Sequence, residues 1–324
     1  MNGQGSTPRG GRWATLPPAA GATVMATGIL SAGLYLAGFD VLSVVALCLA
    51  TALWLLLAWD FATLLLGDRR RWEASADTPA ALTAVAATTV LGVRYELLGA
   101  TPVAVALLLL AVLVWPVLLR TVLRRLERPA PGAAFLICVA TQGLAVLSAV
   151  LVPKAGDWLA WTALALFLLG LVLYVEALAR FDLRQVVTGA GDQWIAGGAM
   201  AISALTGSKL LASGVWSGDA ETWVRTVTLV LLGLDLAWYA VLLCGEFVRP
   251  RLAYDVRRWS TVFPLGMTAV AALSTSAATD ITWLSTVGRV LLWIAVAAWL
   301  TTAFGLVRSL TGRAGDRSPA APPG

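Results

Sequence analysis

Two basic side chains, Arg94 and Lys209, stand inside apolar stretches with no acidic residue four positions away, although Glu96 lies near Arg94. A cation where water is scarce attracts anions and partly strips their hydration. The same residue near a helix end can instead snorkel to the interface. Thr27, Gln142, Ser203 and Thr206 lie in apolar stretches, where they can donate hydrogen bonds to a passing anion or pack against helix carbonyls. Asp60, Glu176 and Glu246 fall near the ends of apolar segments, where pairing with basic loop residues is expected. Asp235 is closer to mid-segment and needs a partner or a wet pocket. The chain has no His, which removes the commonest metal ligand and proton shuttle. Cys48, Cys138 and Cys244 lie singly, without a CxxC pair. No Asp-rich metal motif, Gly-x-Ser-x-Gly elbow or P-loop occurs. The expectation is a protein that is not an enzyme and calls for no cofactor.

These residues need elements to position them. Of 324 residues, 59% are apolar and 13% are charged, with a mean hydropathy of +0.82. Soluble domains are closer to half apolar and about twice as charged. The class is an all-α polytopic membrane protein with the lipid bilayer as its solvent. A net charge of +5 fits the excess of Arg and Lys on cytoplasmic loops, not nucleic-acid binding. Ten apolar segments can be drawn, at about 18–38, 41–66, 79–98, 101–119, 133–152, 157–178, 193–213, 222–248, 259–279 and 283–308. They predict a membrane domain over 16–310 between cytoplasmic tails at 1–15 and 311–324.

Short turns alternate with longer basic connections. With the N-terminus in the cytoplasm, eighteen of the 23 basic residues fall inside, and Arg94, Lys154, Lys209, Arg225 and Arg289 fall in the outer half. That asymmetry predicts a multi-pass protein of the cell membrane with both termini cytoplasmic. The segments then form five helical hairpins of one orientation. Gly, Ala, Ser and Thr make up more than half of the odd segments and about a third of the even ones, which are rich in Leu and Trp. Small residues suit a crowded centre and bulky apolar ones suit lipid. Ten transmembrane helices, with the odd ones in an inner ring and the even ones outside, are therefore expected. The ninth segment, Trp259 to Ala278, is the most telling: uncharged, dominated by small residues, with Phe263 beside Pro264 near its start. A proline there frees a carbonyl and kinks the rod. The helix reads as lining something.

Three short runs carry a resemblance. The first segment holds VMATGILS (Val24 to Ser31), the seventh begins GDQWIAGGAMAISAL (Gly191 to Leu205), and the ninth reads STVFPLGMTA (Ser260 to Ala269). Together with five hairpins they resemble the tellurite-resistance and C4-dicarboxylate transporter family, which includes plant slow anion channels and fungal malate permeases, over about residues 16–310. The resemblance implies a homotrimer with one pore per subunit, lined by the odd helices and blocked in channel members by a Phe on the ninth helix. Phe263 matches that gate, with Pro264 beside it. Thr27, Gly28, Gln142, Ser203, Thr206 and Gly266 become candidate pore-lining residues, and Arg94 and Lys209 become the bases of the outer mouth. The expected function is passage of small inorganic or organic acid anions through a gated pore. The alternative is a proton-coupled transporter of C4-dicarboxylates or of tellurite and related oxyanions.

Overall fold

The computed structural model describes residues 20–67, 78–251 and 254–315. The expected N-terminal tail, Arg69 to Arg71 and residues 316–324 lie outside the described residues. Among the described residues ten long helices follow one another: α1 (Gly21–Leu36), α2 (Asp40–Gly67), α3 (Thr83–Leu97), α4 (Thr101–Arg125), α5 (Leu136–Ala155), α6 (Trp158–Arg180), α7 (Ile195–Ala212), α8 (Gly218–Val248), α9 (Trp259–Thr279) and α10 (Trp283–Gly315). A 3-10 turn leads into each of α3, α5, α7 and α9, and a single helical turn, Gln185–Thr188, interrupts the α6–α7 connection. Eight of the helical stretches are long and apolar enough to cross a membrane. The exceptions are α1, a shorter apolar helix, and α3, whose 15 residues include Arg94 and Glu96. In lipid every backbone polar group must be satisfied internally, which is why apolar chain of this composition becomes helix.

Each odd helix packs on the helix that follows it. The odd helices also touch one another in the cyclic order α1, α3, α5, α7, α9 and back to α1. Each even helix leans in turn on the next odd one, with α10 returning to α1. The result is a closed ring of five helices wrapped by five others. Burial follows the same division. The spans holding α5, α7 and α9 are at least 83% buried, and those of the even helices at most 33%. Bulky side chains such as Leu55, Trp59, Leu113, Val172 and Leu300 are left exposed on the outside. Such an apolar exterior suits lipid and would be costly in water.

At one end of the bundle the connections are tight, and each carries a left-handed residue: Gly38, Gly99, Gly156, Gly214 and Gly218, and Asp280. Helices commonly end on such a residue, because a left-handed step lets the following N–H groups bond back to the last carbonyls. The other end is rich in arginine. Residues 153–156 read as a turn in the sequence, but α5 continues through Pro153 to Ala155 and breaks only at Gly156, where φ is 104°. Likewise α4 runs six residues past the expected end at 119, to Arg125, placing Arg124 and Arg125 in its last turn, where cations offset the helix dipole. Helix α10 continues through residues 311–315.

The arginine-rich end anchors α9. Glu246 near the end of α8 pairs with Arg251 and, at 2.9 Å, with Arg258. Arg251 also donates to the Gly189 carbonyl in the α6–α7 connection (2.9 Å). Asp255 caps the turn before α9 by accepting from the Arg257 N–H at 2.8 Å. Hydrogen bonds from the Arg257 side chain hold the Asp255 carboxyl below its ordinary range. On α6, Glu176 pairs with Arg180, which also donates to the Leu126 carbonyl (2.6 Å).

Candidate functional site

The ring encloses a narrow cavity of about 30 Å³, room for about two waters. Its wall takes residues from every odd helix: Ile29 and Leu36 of α1, Thr89 and Leu97 of α3, Gly143 and Val146 of α5, Ile202 and Lys209 of α7, and Met267, Val270 and Ser274 of α9. The wall is mostly apolar. Among the described residues Lys209 is the only charge in this wall, and it lies at the tight-turn end, in the last turn of α7. The Ser274 hydroxyl is buried without a protein partner.

The phase of α9 shows how this wall is built. With 3.6 residues per turn, Phe263, Met267, Val270 and Ser274 fall on one stripe. Pro264 points about a quarter-turn away, against α7: a Cβ at Gly198 would meet Pro264 Cγ at 2.9 Å. Gly266 faces α1 on the other side, where a Cβ would meet Ile29 Cγ2 at 2.8 Å. Only glycine allows these two approaches, and they leave the stripe aimed between α7 and α1, toward the ring axis. Phe263 is 1% exposed and stands one turn beyond Met267, on the arginine-rich side of the cavity. The helix runs unbroken through Pro264.

The other expected site residues occupy seams between helices. Arg94 is 1% exposed and lies among α1, α2 and α3, off the cavity wall. Its Nε donates to Ser31 Oγ (3.1 Å) and Ser43 Oγ (3.0 Å), and its Nη2 to Ser43 Oγ (2.8 Å). Its guanidinium carbon sits 4.7 Å from the centre of the Tyr35 ring. Gly28 packs against Val90 of α3. Gln142 donates to the Phe167 carbonyl of α6 (3.1 Å) and accepts from Thr206 of α7 (2.9 Å). Ser203 returns its hydroxyl to the Ala199 carbonyl one turn back (2.7 Å). These groups bond to each other and to the backbone, as most buried polar atoms do, apart from Arg94 Nη1, which is buried without a hydrogen-bond partner, and none of them lines the cavity.

One seam pattern repeats around the ring. Trp54 of α2 donates to Thr88 of α3 (2.9 Å), Trp115 of α4 to Thr141 of α5 (3.0 Å), and Trp299 of α10 to Thr27 of α1 (3.0 Å). Each of these threonines passes its own proton to the carbonyl four residues back. Between α8 and α9 the direction changes: Thr268 donates to Asp235 Oδ1 at 3.1 Å. Asp235 thus lies behind α9, outside the ring.

Composition located the lining helices but not their lining faces. Met267, Val270, Ile202 and Val146 are ordinary apolar residues with no chemical signature. The available signal is helical phase counted from Phe263.

The family model described as SLAC1, voltage-dependent anion channel, matches residues 15–307. Two uncharacterized membrane proteins of Mycobacterium tuberculosis, MT1776 of strain CDC 1551 / Oshkosh and Rv1735c of strain H37Rv, are each 30% identical over 145 residues. Each match covers 39% of this chain and 70% of the relative.

Proposed function

The chain belongs to the SLAC1 family of voltage-dependent anion channels, and from that premise we propose that it conducts small inorganic or organic acid anions along the axis of its odd-helix ring. The observation that carries this reading is the cavity walled by all five odd helices, with Lys209 at one end and the Phe263 stripe leading out of the other. Lys209 draws anions to the outer mouth, and Arg94 adds positive potential from behind the wall. Phe263 is the gate. A ring in a dewetted constriction stops ions because they cannot shed water there without compensation. Pro264 and Gly266 seat the ring by packing α9 against α7 and α1.

In this reading residues 16–310 cross the cell membrane ten times as five hairpins, with both termini in the cytoplasm and the arginine-rich end facing it. The assembly is a homotrimer with one passage per subunit. Tags at either terminus are expected to be accessible only from the cytoplasm, in intact cells against opened ones. An external signal from either tag refutes the topology. A second reading, a proton-coupled carrier of C4-dicarboxylates or tellurite-like oxyanions, is favoured by one observation, the buried Asp235 carboxyl with an unpaired oxygen. Flux of a panel of anions into liposomes decides between them: a channel passes current without a proton gradient, and a coupled carrier needs one.

A further inference from the structure

Asp235 is fully buried, and its hydrogen-bond inventory is incomplete. Oδ1 accepts from Thr268, and Oδ2 has no partner. Two more buried hydroxyls nearby have no acceptor for their protons: Tyr239, and Tyr174, whose oxygen takes a bond from the Trp238 indole. Tyr239 stands one turn along α8, and Tyr174 of α6 is close enough to feel the Asp235 charge. An ionised carboxylate here would need a second donor, and a protonated one would need an acceptor for its proton. The same atoms therefore support two arrangements that differ by one proton. The titratable groups facing Asp235 are these two tyrosines and the Cys138 thiol of α5, which lies beside Tyr174. From α7 comes Gly197, with Lys209 about three turns away, and α9 carries no charged residue.

The position matters as much as the chemistry. In three other seams the outer helix holds its threonine with a tryptophan, a donor that does not titrate. The seam on α9 uses a carboxyl, and Thr268 lies five residues from Phe263. We propose that Asp235 is a proton-binding site, outside the anion path, that sets how firmly α8 holds the gate helix α9. This rests on Phe263 being the gate. Ionised, Asp235 grips Thr268 through a charge-assisted bond about twice as strong as a neutral one, and α9 stays closed. Protonated, it holds α9 more weakly. Anion flux then falls as pH rises through the titration of Asp235.

The test is chloride flux from liposomes holding the full chain, with equal pH on both sides so that no proton gradient drives transport. The wild type should lose flux several-fold toward alkaline pH. Asp235→Asn, which keeps an accepting oxygen but cannot ionise, should stay near the acid-side level at every pH. Infrared difference spectra read the same proton without any flux. A carboxyl band should titrate in the wild type, be missing from Asp235→Asn, and titrate at a different pH in Thr268→Val. A flat wild-type profile, an Asp235→Asn profile like the wild type's, or a band unchanged by Asp235→Asn overturns the proposal. Failure of Phe263→Ala to raise flux, with the Asp235 effects intact, counts against the gate alone.

Discussion

Phe263→Ala is expected to raise anion flux by an order of magnitude or more while the protein still assembles. Removing the ring leaves Met267, one turn further along the stripe, as the next narrow point, and the cavity then opens toward the arginine-rich end. Each ~1.4 kcal/mol taken off a permeation barrier is a factor of about ten in rate. A Phe that only filled the core would behave differently, since truncation typically costs roughly 3–5 kcal/mol of stability. Phe135→Ala is the matched comparison. Phe135 is also fully buried, but its ring packs on Tyr174 at 5.2 Å and Phe181 at 5.4 Å, away from the cavity. Its removal should lower folded yield and leave flux per folded molecule unchanged. If Phe263→Ala loses yield and gains no flux, the ring is not a gate.

Lys209→Gln is expected to cut flux about thirty-fold at low salt and much less at high salt. At ~8 Å and an effective dielectric of ~20, a unit charge contributes about 2 kcal/mol to an anion in the cavity, and salt screens that contribution at the open end. Arg94→Gln should act differently, because Arg94 is bonded to Ser31 and Ser43 behind the wall. Breaking that brace leaves buried hydroxyls short of a donor, at a cost of about 1–3 kcal/mol. The expected result is a lower melting temperature with a smaller loss of flux. Equal flux losses in the two variants, with equal melting temperatures, would mean that both side chains face the passage.

The contrast between the variants marks how far the sequence could be read. Helix positions were legible because a run of apolar residues has one stable form in lipid, and the ends came within a few residues except where α4 runs on to Arg125 and α10 to Gly315. Composition separated ring helices from outer ones, although least clearly in the third pair, where α5 is nonetheless almost wholly buried. The faces were not legible. Arg94 and Lys209 look alike in sequence, each a base near the far end of an odd helix, and a rotation about the helix axis sends one to a seam and the other to the cavity. Thr27, Gln142, Ser203 and Thr206 were ambiguous in the same way, because hydroxyls and amides that suit an anion equally suit a neighbouring helix. Asp235 was visible as an anomaly, but its partner Thr268 lies 33 residues away on another helix.

Thiol modification in a Phe263→Ala background tests most directly whether anions pass along the ring axis. Ser274→Cys places a thiol on the cavity wall, and Thr226→Cys places one on the exposed face of α8. Both are treated with a negatively charged thiol reagent, with the chain's own three cysteines as the background. Modification at Ser274→Cys should abolish chloride flux, and modification at Thr226→Cys should leave it unchanged. Full modification of Ser274→Cys with undiminished flux would contradict a passage through the ring.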